Sequence, residues 1–241
     1  MRTKTVAHAV KLNYFLKLYI YVRIVSCTAT LSSFSDWLCR PLVSQTARQY
    51  SNIIYTPEHF VEMLFWIEDK RFPIHFGVDP VAIARAVAFN LRGGALQGAS
   101  TIAQQIYTIR ISRSRKFSRS AAYKIRQIVY SLYLSAVNSK AAILREYIDT
   151  VYWGRSYRGL DRAVAGYFGS TRASLSVCQS FFLAERIATP NRVSVRRISN
   201  LLDRTPIRLN LERNGATTRD VIKVYEQVYA CGGEMCQLLA K

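Results

Sequence analysis

The stretch HFVEMLFWIEDKRFPIHFGVDPVAIARAVAFNL, His59 to Leu91, decides the fold class, because two helical rhythms flank a bridge of charged, aromatic and turn-forming residues. Phe60, Met63, Leu64 and Ile67, then Val81, Ala84, Val87 and Leu91, follow the i, i+3, i+4 rhythm of a buried helix face. Asp79 followed by Pro80 is a helix start, since proline fits the first helical position. The same rhythm returns at Ile125, Ile128, Val129 and Leu132. Further helices are predicted over Lys140 to Trp153, Asp161 to Phe168, Ser174 to Ala188 and Thr218 to Tyr229, and no series of alternating strands appears. The fold class is therefore mainly α. Breakers fall at Gly93, Gly94, Gly98, Gly154, Gly159 and Pro190, and IRISRSRKFSR, ending at Arg119, reads as a mobile, exposed connection. Beyond Arg204, RLNLERNGATTRD reads as a loop before one last helix.

The chain has 241 residues, 50% of them hydrophobic, enough to bury a full core. Its 34 Lys and Arg against 15 Asp and Glu give a formal charge of +19. Such a surface seeks nucleic acid, anionic lipid headgroups or phosphorylated substrates. No Asp or Glu occurs from Pro80 through Arg145, whereas eleven Lys or Arg fall there, so the positive charge is concentrated. Five cysteines, odd in number and without paired zinc-type spacing, argue against a metal finger. Cys231 and Cys236 are near enough to close a small disulfide loop, with free thiols as the alternative.

Residues 1–50 are expected to form a membrane-associating segment and linker. Their apolar stretch LNYFLKLYIYVRIVSCTATL carries Lys17 and Arg23, with Lys11 just ahead, at six-residue steps. No window reaches the roughly 18 clean residues of a spanning helix. Six-residue steps also rotate by about 240°, which scatters the charges around an interfacial helix. Snorkelling of Lys and Arg is the route by which the segment would insert.

Two stretches carry chemistry. WIEDKRFPIHFGVD places the adjacent carboxylates of Glu68 and Asp69 at a helix end, and a solvated pair is the ordinary reading of such residues. LQGASTIAQQIY, Leu96 to Tyr107, runs from a glycine loop into a polar helix start. Backbone N–H groups at such a start bind phosphate, and Ser100, Thr101, Gln104 and Gln105 are candidate side-chain donors. A Ser-Thr helix cap explains the second stretch equally well.

The two stretches, in this order and about 30 residues apart, resemble the first two signatures of the family 51 glycosyltransferases. That family comprises the transglycosylase domain of class A penicillin-binding proteins and the monofunctional peptidoglycan glycosyltransferases. LREYIDTVYWGRSYRGLDRAVAGYFG resembles the fourth signature and FFLAERIATPNRVS, more loosely, the fifth. The resemblance implies a lysozyme-like helical lobe beside a smaller, mobile, membrane-facing lobe. It implies a domain over residues 51–204, with residues 205–241 as a C-terminal loop and helix. The implied substrates are lipid-linked disaccharide (lipid II) and the growing glycan strand. The implied place is the bacterial inner membrane, with the catalytic domain on its outer side and other cell-wall synthesis proteins as partners.

By the same resemblance Glu68 matches the general base that takes the proton of the acceptor sugar's 4-hydroxyl. Ser100, Gln104 and Gln105 match positions around the donor's phosphates and sugar, and Arg115 and Lys116 lie near a family arginine. Asp69, Phe72, His75 and Gly77 match scaffold positions. The family's Arg-Lys-x-x-Glu signature aligns with YKIRQ, which puts Lys124 at the signature lysine and Gln127 where a second glutamate stands. Thr108 replaces a lysine after the Gln-Gln pair, and Asp149 an asparagine. Arg110, Arg113 and Arg115 are candidates to restore the lost positive charge. A divalent cation, magnesium or manganese, is the one cofactor the resemblance admits, and no metal-ligand set is read from the sequence.

Gln127 keeps the reach of glutamate without its charge, which leaves open an active polymerase and a degenerate homologue that binds substrate without turnover. A nucleic-acid-binding protein explains the charge but neither Glu68 nor the fourth signature, so nucleic acid is not an expected partner. No Ser-x-x-Lys tetrad occurs in the chain, so the expected product is uncrosslinked strand.

Overall fold

The structure, a computed structural model, describes residues 30–91, 99–112 and 120–229. The N-terminal apolar stretch, apart from its last two residues, lies outside the described residues. So do Gly93, Gly94, Gly98, Arg113, Arg115, Lys116, Arg119, Cys231 and Cys236.

The helices are α1 (Thr30–Ile54), α2 (Glu58–Glu68), α3 (Pro80–Leu91), α4 (Ile102–Ser112), α5 (Ala121–Val137) and α6 (Lys140–Thr150). A hairpin of β1 (Tyr152–Gly154) and β2 (Tyr157–Arg158) follows. Next come α7 (Leu160–Phe168), a short 3-10 turn at Arg172–Ser174, α8 (Val177–Arg186), α9 (Val195–Leu202), α10 (Thr205–Arg213) and α11 (Thr218–Tyr229). The architecture is mainly α and consistent with a lysozyme-like helical lobe. Among the described residues no helix is long and apolar enough to cross a membrane.

The chain divides into two compact units, Met1–Arg40 with Asp79–Ala99, and Pro41–Val78 with Ser100–Lys241. In the first, Asp79 Oδ1 accepts the N–H groups of Val81 and Ala82 at 3.0 and 2.9 Å, which caps α3 behind Pro80. Among the described side chains of α3, Ala82 and Ala86 are buried whereas Ala84 is exposed, so the first turns of α3 bury a different side from the expected one.

The second unit is built around α2. Phe60, Val61, Met63, Leu64, Phe65 and Trp66 are all buried on it, and α2 packs against α8 and α10. A helix buried on nearly every side needs neighbours all round, and α8 is likewise buried from Val177 to Arg186 apart from half-buried Gln179. Phe65 stacks on Phe72 with ring centres 5.1 Å apart, which folds the chain after α2 back on itself. Helix α4 packs between α5 and α6. Gly77 is required where this returning chain meets α5, because its φ of +73° is left-handed and a Cβ would lie 2.2 Å from the Ser131 carbonyl oxygen.

Several sequence expectations need correction. The helix expected to reach Trp153 ends at Thr150, because Arg155 and Ser156 adopt positive φ and turn the chain into the hairpin. The helix expected from Ser174 starts at Val177, where Ser176 and Gln179 form a reciprocal capping box. The loop expected after Arg204 is mostly α10, whose Ile207 and Leu211 are buried at i, i+4 spacing and whose Asn210 donates to Glu62 at 2.7 Å. Arg110, Ile111 and Ser112 end α4 instead of forming a connection. Finally, α5 forms as expected but faces the other way. Its buried residues are Gln127, Ser131 and Leu134, while Ile125, Val129 and Leu132 are exposed.

Candidate active site

Helix α4 organises the site, and its start is fixed by both sequence stretches. Asp69 Oδ2 accepts the Ile102 N–H at 3.0 Å, and His75 Nε2 lies 2.9 Å from both Asp69 oxygens. The Thr101 hydroxyl donates to the Gly77 carbonyl at 2.6 Å. Thr101 and Gln104 also form a reciprocal cap, with Thr101 N–H donating to Gln104 Oε1 at 3.0 Å and Gln104 N–H to Thr101 Oγ1 at 3.3 Å. Asp69 is thus scaffold, bonded across 33 residues to the helix that carries the two glutamines. The N–H groups of Ile102 and Gln104 are already taken by protein acceptors, so this helix start offers a phosphate fewer donors than its sequence suggests. Thr101 and Gln104 are themselves buried, with the Thr101 hydroxyl and the Gln104 oxygen bonded to the scaffold and the Gln104 Nε2 without a partner among the described residues.

Glu68, the last residue of α2, is half-buried beside this helix. Gln105 Nε2 donates to Glu68 Oε2 at 2.8 Å, and the Tyr147 hydroxyl donates to Gln105 Oε1 at 2.6 Å. The carboxylate, an acceptor only, fixes which end of the amide faces it, and the tyrosine hydroxyl then holds the other end in place. Burial pushes the Glu68 carboxyl above the usual carboxylate range, while the Gln105 bond and the Arg197 charge oppose that rise and Asp69 and Glu185 add to it. A carboxyl shifted in this sense is suited to receive a proton near neutrality.

Glu185 and Arg186 form a fully buried ion pair at 2.8 Å. Glu185 also accepts from Tyr225 at 3.0 Å and Thr189 at 2.8 Å, which compensates its desolvation. Arg197 Nε lies 3.5 Å from Glu185 Oε1, so the buried anion holds in place the cation that acts on Glu68. Tyr147, Glu185 and Arg197 were not singled out from sequence. Tyr147 and Glu185 fall inside the fourth and fifth resemblances, and that placement is the only signal the sequence carries for them.

On the other side of α4, Gln127 is buried and fully bonded. Its Nε2 donates to the Gln104 carbonyl and to Thr108 Oγ1, each at 3.0 Å, and its Oε1 accepts from Lys124 Nζ at 2.7 Å. Lys124 reaches Ser100 Oγ at 3.3 Å, and Thr108 Oγ1 lies 2.7 Å from the Tyr123 hydroxyl. Burial lowers the pKa of the Lys124 ammonium from the ordinary lysine value. The structure therefore gathers Glu68 with Gln105, and Ser100 with Lys124 and Gln127, around α4.

One expected role is not met. Arg110 does not stand in for the missing lysine, because Glu146 binds its Nε at 2.8 Å and its guanidinium lies over the Tyr130 ring. Asp149 pairs with Arg172 at 3.1 Å in a partly exposed ion pair. Among the described residues no three His, Cys, Asp or Glu side chains gather to hold a metal ion. The position of Gln127 does not fit magnesium or manganese, since its one oxygen is uncharged and already faces the Lys124 ammonium, whose charge opposes a second cation.

The transglycosylase family profile matches residues 37–211. Penicillin-binding protein 1A of Aquifex aeolicus (strain VF5) is 34% identical over 139 residues, which is 57% of this chain and 19% of that relative. Penicillin-binding protein 1A of Neisseria flavescens is 32% identical over 194 residues, 73% of this chain and 23% of the relative. Penicillin-binding protein 4 of Bacillus subtilis (strain 168) is 32% identical over 157 residues, 62% of this chain and 24% of the relative. The matches span about a quarter or less of the length of these relatives. With the profile running from α1 into α10 and the site built on the matched segment, the chain belongs to the transglycosylase family, that of the transglycosylase domain of class A penicillin-binding proteins.

Proposed function

We propose that the chain is a peptidoglycan glycosyltransferase that polymerises lipid-linked disaccharide into glycan strands. The observation that carries this reading is Glu68, a carboxyl raised by burial and aimed by the Tyr147–Gln105 relay. In the reaction the acceptor's 4-hydroxyl oxygen bonds to the donor's anomeric carbon while Glu68 takes the hydroxyl proton. The bond from that carbon to polyprenyl pyrophosphate breaks on the opposite face, which inverts the centre. Pyrophosphate leaves with the electron pair and without a proton, so cations serve it better than a second acid. Lys124 beside Ser100 supports that role, with Arg115 and Lys116 as further donors.

The outward face of α5 supports a membrane-apposed site at the outer side of the inner membrane. Ile125, Val129, Tyr133 and Val137 form one stripe, each more than half exposed, on a helix without a single acidic residue. Such a face suits an anionic lipid surface. Cell-wall synthesis proteins that work on the same strand are its expected partners.

The neutral Gln127 favours a second reading, a homologue that binds lipid-linked substrate without turning it over. Incubation of the purified chain with lipid-linked disaccharide separates the two. Glycan strands are the expected product, and substrate binding without strand synthesis rejects the enzyme reading.

A further inference from the structure

The surroundings of Gln127 are built for an amide. Both N–H groups of Nε2 are used, one on the Gln104 carbonyl and one on Thr108 Oγ1. A carboxylate in that place would set a charged oxygen about 3 Å from the Gln104 carbonyl oxygen with no proton between them. The amide avoids this and leaves only its carbonyl end for Lys124. The partners of Lys124 among the described residues, Ser100 and Gln127, are both neutral, and no carboxylate pairs with it. Its charge is therefore not cancelled locally.

The two departures from the family pattern, Thr108 for lysine and Gln127 for glutamate, thus touch each other at 3.0 Å. One replacement removes a positive charge and the other a negative charge. With Lys124 included, the trio carries one net positive charge in either version.

We propose that Thr108 is a positioning residue which, with the Gln104 carbonyl, locks the Gln127 amide and so keeps Lys124 an uncompensated cation for the leaving pyrophosphate, making a divalent metal unnecessary. The inference rests on the glycosyltransferase reading for the identity of the anion. Its geometry does not.

The test is a double-mutant cycle on the full chain, read by calorimetric binding of inorganic pyrophosphate in the presence of a chelator. The wild type binds without metal. Gln127→Glu places a carboxylate on Lys124 and weakens binding about tenfold or more, the size of one charge-assisted contact. Adding Thr108→Lys to Gln127→Glu returns affinity to within about threefold of the wild type, so the two changes are strongly non-additive. Melting curves establish that each variant is folded. Should Gln127→Glu fail to fold, Thr108→Val serves instead, since it removes one acceptor at constant volume; it weakens binding, and Thr108→Ser recovers it.

Additive effects in the cycle, or wild-type binding that needs magnesium, overturn the proposal. Strand synthesis by the wild type together with an additive cycle overturns the proposal alone. Coupled pyrophosphate binding without strand synthesis overturns the glycosyltransferase reading and leaves the pairing of Thr108 with Gln127 intact.

Discussion

Tyr147→Phe removes one oxygen atom and tests whether the relay to Glu68 is functional. The ring is fully buried and stays, so the change is confined to the hydroxyl that donates to Gln105 Oε1 at 2.6 Å. Loss of one neutral hydrogen bond costs about 0.5–1.5 kcal/mol, and an acceptor left unsatisfied in a buried setting raises the cost to about 1–3 kcal/mol. The melting temperature falls accordingly. The catalytic effect follows from orientation. With the tyrosine present, both ends of the Gln105 amide are bonded, so the side chain is held in one position against the Glu68 carboxylate. Without it, only the Glu68 contact holds the amide, and the bond that counters the burial of Glu68 becomes intermittent. A three- to tenfold fall in kcat is expected, about 0.7–1.4 kcal/mol, with KM little changed because the hydroxyl touches no substrate. The acid limb of the pH–rate profile moves to higher pH, since weaker bonding raises Glu68 further. Continuous strand synthesis between mildly acidic and neutral pH measures both quantities. An unchanged kcat and acid limb, in a variant whose melting temperature falls as described, would refute the relay and leave Tyr147 a purely structural residue.

Arg197→Gln removes the cation that opposes the upward shift of Glu68, so the acid limb again moves to higher pH, and added salt shrinks the difference between variant and wild type. A profile that stays in place at low salt contradicts the electrostatic role. Gly77→Ala forces a left-handed residue and a Cβ at 2.2 Å from the Ser131 carbonyl, so chemical denaturation should show a loss of at least about 2 kcal/mol. An unchanged midpoint contradicts the close approach that ties the chain after α2 to α5.

The sequence predicted the helical class because the apolar rhythm of α2 is strong, and α7 and α11 fall almost where composition and breakers placed them. It predicted α5 as a helix but not its orientation. Periodicity finds a stripe without saying what the stripe faces. Here the inward side is held by polar groups, Ser131 donating to the Gln127 carbonyl at 2.6 Å and Gln127 bonding α4. Helix α10 was hidden for the opposite reason. Its buried residues are few, and Asn210 and Arg213 reach the buried Glu62, so polar composition disguised a packed helix as a loop. Within the candidate site, the position of Glu68 at a helix end was legible from its motif. The bonds from Asp69 to Ile102 and from Tyr147 to Gln105 were not, since residues 33 and 42 positions apart meet only after the helices pack. For the same reason the sequence did not show that the Thr101 hydroxyl and the Gln104 amide oxygen close the helix start, while the Gln104 amide nitrogen is left without a partner among the described residues.

The central claim is that Glu68 removes the acceptor's proton, and Glu68→Gln tests it most directly. The substitution is nearly isosteric, and its amide oxygen still accepts the Gln105 bond. It also removes a buried charge that disfavours the folded state above the raised pKa, so at neutral pH the variant should melt no lower than the wild type. The measurement is glycan-strand synthesis from lipid-linked disaccharide by both proteins, alongside binding of that substrate. The account predicts wild-type synthesis, retained binding by Glu68→Gln and no detectable strands from it. Synthesis by a folded Glu68→Gln protein at the wild-type rate would contradict it.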